Sequence, residues 1–148
     1  MFVGDKSIGA ISYKPSIHKL DNHKQQELIE LNSFYENAKK IISGDAIDVV
    51  DEMLTFMDSA ASAGGARAKA IIGYNPNSKE IISGIKKELP SEFEHYLIKF
   101  DFLNDNQRSQ DYTKLECLYM NMAKEAKIEV PNIELLEHGN LTHYLIKR

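Results

Sequence analysis

Residues 59–66 read Ser-Ala-Ala-Ser-Ala-Gly-Gly-Ala, with no side chain larger than a hydroxymethyl group. A stretch with nothing large to bury interrupts any core pattern, so it divides the chain in two. On its amino side the apolar period is helical. Leu28, Leu31, Tyr35, Ala38 and Ile42 predict a helix over residues 24–42, with Gly44 as its stop. Ile47, Val50, Leu54 and Met57 predict a second over 45–58, with Asp45 and Asp48 at its positive end. A short strand over 7–13, bulged at Gly9, and a polar connector over 15–24 precede them.

On the carboxyl side the period shortens to that of strands. Residues 67–74 predict a strand, Asn75-Pro76-Asn77-Ser78 a turn, and residues 79–83 the returning arm of a hairpin. Residues 94–100 predict a strand with Tyr96, Ile98 and Phe100 on one face and His95, Leu97 and Lys99 on the other. A helix is expected over 113–127, with Leu115, Leu118, Tyr119, Met122 and Ala126 as its buried stripe and Pro131 marking its exit. Strands over 133–136 and 142–147, joined by His138-Gly139-Asn140, close the pattern. The order predicts an α+β fold with a mainly antiparallel sheet and flanking helices. Residues 1–58 form a lead-in strand and two-helix segment, and 59–148 one compact unit.

Composition limits the function classes. The 148 residues are 43% apolar and 27% charged, which suits one soluble domain. Eighteen basic against 22 acidic residues leave a net charge of -4, which argues against a general nucleic-acid binder. A single cysteine, Cys117, excludes an internal disulfide framework and a cysteine-based zinc site; it reads as a small packing residue. No apolar run approaches membrane-span length, and the first residues lack the layout of a signal peptide. A cytoplasmic protein with no membrane association is expected.

The residues that could carry chemistry start in the small-residue segment. Ser62-Ala63-Gly64-Gly65-Ala66-Arg67-Ala68-Lys69 joins glycines, which let backbone N–H groups approach an anion, to two cations. It lacks the Gly-Lys-Ser/Thr ending of a Walker loop. A flexible connector into a hairpin has the same composition. Lys99 interrupts an otherwise apolar strand; it is either a solvated edge residue or a phosphate ligand needing a carboxylate to hold it. Glu116, 17 residues further on, could supply that carboxylate. It could equally close a capping box, Thr113-Lys114-Leu115-Glu116, at the helix start.

In this order the segments resemble HipA-like serine/threonine kinases, the toxins of bacterial toxin–antitoxin modules. The residues that carry the resemblance are Ser62 to Ala70 at the phosphate loop, His95 to Phe100 at the strand ending in Ile-Lys, Glu116 with Leu118 and residues 123–126 in the next helix, Val130-Pro131, and Tyr144-Leu145-Ile146-Lys147-Arg148 at the approach to the hinge. Ser7-Ile8-Gly9-Ala10 with Pro15 resembles the lead-in. The resemblance implies a kinase-like amino-terminal lobe that binds ATP. Gly64, Gly65, Ala66, Arg67 and Ala68, with Lys69, would line the triphosphate. Lys99 would bind phosphate oxygens, Glu116 would orient Lys99, and Lys147 and Arg148 would begin the adenine-contacting hinge. Ser62 matches the loop serine whose autophosphorylation silences the family's kinases; a phosphate there adds about -1.5 to -2 charges. It further implies a helix-turn-helix antitoxin as partner, DNA contacted only through that antitoxin, and an unidentified protein substrate.

Two departures stand out. Ala68 occupies a position where the family commonly has proline, which makes the loop less stiff. The catalytic aspartate and the Mg2+ ligands are expected in a helical lobe outside this chain, so the chain is expected not to phosphorylate a protein alone. Asp101-Phe102-Leu103-Asn104-Asp105-Asn106 imitates those motifs but follows Lys99 too closely and reads as a polar loop. His18, His23, His95, His138 and His143 show no ligand spacing, so no metal site is expected, and His138 and His143, bracketing a turn, should be exposed. Met53, Met57, Met120 and Met122 are expected in the core or lining a groove. Lys39-Lys40 and Lys86-Lys87 read as solvated faces. The alternative function is a non-catalytic module contacting an antitoxin or partner subunit, for which the helices over 24–58 are available.

Overall fold

Lys-Ala-Ile-Ile-Gly-Tyr at residues 69–74 sets a β-branched apolar run just before a turn, the pattern of a strand covered on both faces. The computed structural model describes residues 28–43, 68–84, 88–102 and 111–148. All six residues of β1 (Lys69–Tyr74) are buried in it. β2 (Ile81–Ser83), β3 (Glu94–Lys99), β4 (Ile133–His138) and β5 (Leu141–Lys147) complete a sheet of order β2-β1-β3-β5-β4. Every neighbouring pair is antiparallel. With α1 (Leu31–Ser43) and α2 (Tyr112–Glu125), the described residues form the expected α+β architecture. The strand expected over 7–13, the connector, the second helix over 45–58 and residues 59–67 lie outside the described residues.

Local chemistry sets the turns. The Asn75 side-chain carbonyl accepts from the backbone N–H groups of Asn77 at 2.9 Å and Ser78 at 3.2 Å. This side-chain-closed turn reverses β1 into β2. Gly139, at φ +58°, turns β4 into β5. Gly73 is fixed by space: a Cβ there would lie 2.6 Å from Ile82 Cγ1.

The β3 alternation places Tyr96, Ile98 and Phe100 in the main core, as predicted. Ala70, Ile72, Tyr74, Leu136 and Leu145 share that core, and α1 covers it with Phe34, Tyr35 and Ala38. The Phe34 and Phe100 rings meet edge to face at 5.1 Å. α1 begins at Leu31, later than expected, because the preceding backbone serves the sheet edge. The Ile29 N–H donates to the Ile81 carbonyl at 2.7 Å, and Leu28 bridges Ile82. Leu28, expected within the helix, instead lies at the sheet edge and is 59% exposed.

α2 corrects a second expectation. Leu115, Leu118, Tyr119 and Met122 are 46–62% exposed, and Ala126 is exposed as well. The helix turns Thr113, Glu116, Cys117 and Met120 inward instead. Thr113 is fully buried and donates its hydroxyl proton to the Thr142 carbonyl. Polar anchors, rather than the apolar period, thus set the rotation of this helix against β4 and β5.

His143 also departs from expectation: it is fully buried, and His138 is half-buried. The Asp101 N–H donates to His143 Nδ1 at 3.1 Å, which puts the ring proton on Nε2. From Nε2 it is donated to His138 Nδ1 at 3.3 Å, and His138 Nε2 reaches Asn32 Oδ1 at 3.3 Å. Tyr35 stacks on the His143 ring at 5.7 Å, and Phe100 meets its edge at 5.2 Å. Burial, reinforced by His138, lowers the His143 pKa from 6.5 to about 4. The unfolded chain therefore binds more protons than the fold between those values, and stability falls as pH drops from 6.5 toward 4. This group accounts for ~3 kcal/mol of acid destabilisation. Urea unfolding of His143→Phe should show a shallower loss across this window than the parent, even though the variant starts less stable at neutral pH.

Candidate functional site

On the sheet face opposite α1, the β1–β3 register sets Lys69 directly across from Lys99. The β3–β5 register sets Lys99 across from Tyr144. Residues directly opposite in an antiparallel ladder project to the same face, so two ammonium groups and a phenol line up across three strands. Lys69 is buried, at 8% exposure. Like charges in this position repel one another. The row is therefore favourable only with countercharge.

Glu116 supplies part of it. Its Oε2 accepts from Lys99 Nζ in a half-buried ion pair, with the two side chains 33% and 27% exposed. The capping-box reading of Glu116 does not hold. The residue before α2 is Asp111, in the left-handed conformation at φ 55° and with no side-chain cap. Thr113 lies inside the helix, facing Thr142. Glu116 is thus one turn into α2, on the side facing the sheet. Among the described residues no acidic group pairs with Lys69. Among the described residues, Glu116 is the carboxylate paired with this row of two lysines, and it pairs with Lys99.

Sequence reasoning missed Tyr144. Its ring lies 5.9 Å from Lys99 Nζ, and it is 1% exposed. Its hydroxyl is the buried side-chain polar atom that lacks a partner among the described residues. Burial, with Cys117 and Glu116 nearby, raises its pKa to about 12, so it carries its proton. The signal in the sequence was Tyr144 at an alternate position of a strand otherwise rich in leucine and isoleucine, which is indistinguishable from a core aromatic.

Lys147 and Arg148 are placed differently. Lys147 lies opposite Tyr96, so its side chain is on the other face from Lys99, where it pairs with Glu94 at 2.7 Å. The Lys147 N–H donates to the Asn132 carbonyl at 2.8 Å and the Arg148 N–H to the His95 carbonyl at 2.9 Å. Ala68 is buried and immediately precedes β1; its carbonyl accepts from the Phe100 N–H at 3.1 Å. Ser62, Gly64, Gly65, Ala66 and Arg67 lie outside the described residues. Asp101 is buried, and 103–110 lie outside the described residues. Among the described residues no group of three His, Cys, Asp or Glu could hold a metal ion, and no helix is long and apolar enough to cross a membrane.

The fold and site thus define an α+β domain with a cationic row on one sheet face, braced by a helix carboxylate. Residues 61–148 match the family model described as HipA-like C-terminal domain, and the chain belongs to that family. The match names the family's carboxy-terminal domain, not an amino-terminal kinase lobe. No curated protein and no solved structure matches the chain.

The ion pair is half-buried, so its net worth is modest. Lys99→Met and Glu116→Gln should each lower the unfolding free energy by about 1 kcal/mol. The double variant should lose less than the sum of the two, as measured by urea denaturation.

Proposed function

We propose that residues 59–148 form the nucleotide-gripping part of a HipA-like serine/threonine protein kinase toxin, an amino-terminal lobe within the family's carboxy-terminal domain. One observation carries this reading: Lys69 and Lys99 stand side by side on one sheet face, with Glu116 of α2 holding the second. In this reading Lys69 and Lys99 bind phosphate oxygens of ATP, and Glu116 sets the direction of the Lys99 ammonium. The backbone of residues 64–68 lines the triphosphate. The main chain at Lys147 and Arg148 leads to the adenine, and Ser62 is a regulatory phosphorylation site.

Magnesium would screen phosphate charge during phosphoryl transfer. Among the described residues no group of three His, Cys, Asp or Glu could hold it, and in this reading its ligands and the aspartate that orients the acceptor hydroxyl lie in the family's helical lobe. The setting is a bacterial cytoplasm, with a helix-turn-helix antitoxin as partner, DNA reached only through it, and a protein as substrate.

A second reading has its own observation. The outer face of α2 presents Leu115, Leu118, Tyr119 and Met122 to solvent. An apolar stripe of this kind favours a non-catalytic module that docks on an antitoxin or partner subunit. Calorimetric titration with ATP and Mg2+ separates the two. The nucleotide reading expects binding heat that Lys99→Met weakens by about tenfold or more, the order of one lost charge-assisted contact. Absence of heat from both proteins favours the docking module.

A further inference from the structure

Four elements meet at His143 of β5. From the exit of β3, the Asp101 N–H donates to its Nδ1 at 3.1 Å. On β4, His138 Nδ1 lies 3.3 Å from its Nε2. On α1, Asn32 Oδ1 lies 3.3 Å from His138 Nε2, and Tyr35 stacks over the His143 ring at 5.7 Å and meets His138 at 5.2 Å. α1 therefore covers the buried imidazole with a ring and grips the outer one with a hydrogen bond. Both His143 nitrogens are engaged while the ring is neutral. A proton added at Nδ1 would set one N–H against another.

The charged surroundings do not favour that proton. On the β3 side the acidic residue is Asp101, which also attracts Lys114 of α2. On β4 the titratable neighbour facing the ring is His138; Glu137, next along the strand, points to the other face and acts on Lys114 as well. The charged residues of α1, Glu36, Lys39 and Lys40, are exposed. Burial first, and then His138, prevail and hold the His143 pKa at about 4.

We propose that α1 is an acid-released cover: uptake of one proton at His143 breaks the Asp101–His143–His138–Asn32 chain and lets the helix lift while the five strands stay paired. Lifting α1 removes Phe34, Tyr35 and Ala38 from the core and opens the His143 ring to water. The raised state is then the one that accepts the proton readily, with a pKa restored toward 6.5. Above that value the proton adds nothing to opening. As pH falls through the window toward 4, the raised state gains, by about thirtyfold at about pH 5 relative to neutral solution. This inference does not rest on the nucleotide reading.

Amide hydrogen exchange of the whole chain at about pH 7.5 and about pH 5, corrected for intrinsic rates, is the test. Amides within α1 should lose about thirtyfold in protection on acidification, and those of β1 should stay better protected than α1 at both pH values. His143→Asn keeps an acceptor for the Asp101 N–H but cannot take up the proton, so its α1 protection should stay nearly level. His143→Gln serves the same purpose should the asparagine variant fail to fold. Equal protection of α1 and β1 at both pH values, which means one opening of the whole domain, overturns the proposal. So does α1 protection that stays flat in the parent, or that falls as far in the variant as in the parent.

Discussion

Everything at the site depends on the ladder that holds β3 between β1 and β5. Its pairing sets Lys69, Lys99 and Tyr144 in one row. Side chains alternate between faces along a strand, so a slip of one residue would send Lys99 into the apolar core beneath α1. Such a slip would also bring Ile98 and Tyr96 to the cationic face. The burial of Ile98 and Phe100 at 0% and 1% against α1 therefore does more than stabilise the domain. It fixes which side of the sheet carries charge.

The helices divide the labour. α1 is an apolar lid whose aromatic contacts reach Phe100, Phe102 and both buried-end histidines. α2 is a polar arm. Its Thr113 hydroxyl is tied to the Thr142 carbonyl, its Glu116 to Lys99, and its far side is apolar and open. Because hydroxyl and carboxylate lie on the same helical face, the contact that anchors the helix also aims the acid. That coupling explains why a glutamate can brace a strand lysine from a helix that shares little apolar surface with the sheet.

Much of this was legible before any coordinates. The β3 alternation and both hairpins follow from spacing and residue type, and strand periods are strong where one face is buried; spacing left Glu116 open between a capping box and a partner for Lys99, and the family resemblance implied the second. What remained hidden has physical causes. The α2 stripe has a sound helical period, but period shows only that apolar residues share a face, not that the face is inward. Thr113 and Glu116, with partners distant in sequence, decided the rotation. His143 beside a turn looked solvated, because nothing local reveals that the Asp101 N–H and the Tyr35 ring would enclose it. The start of α1 slipped because residues 28–30 could satisfy their backbone at the β2 edge as readily as in a helix. The glycine segment, the most suggestive feature of the sequence, rests on composition and resemblance alone.

Among the described residues β4 ends the sheet on one side, a rim of the kind on which a foreign strand can add itself. Pro131 stands just before that rim, and carboxylates occur at Glu134 and Glu137 along it. Glu134 lies on the inward face, where the Tyr74 and Tyr96 hydroxyls bond it. An incoming β-segment meets a missing amide donor at one end and anionic repulsion along the middle. The same tyrosine-bound acid that knits three strands together thus guards the domain against edge-to-edge aggregation.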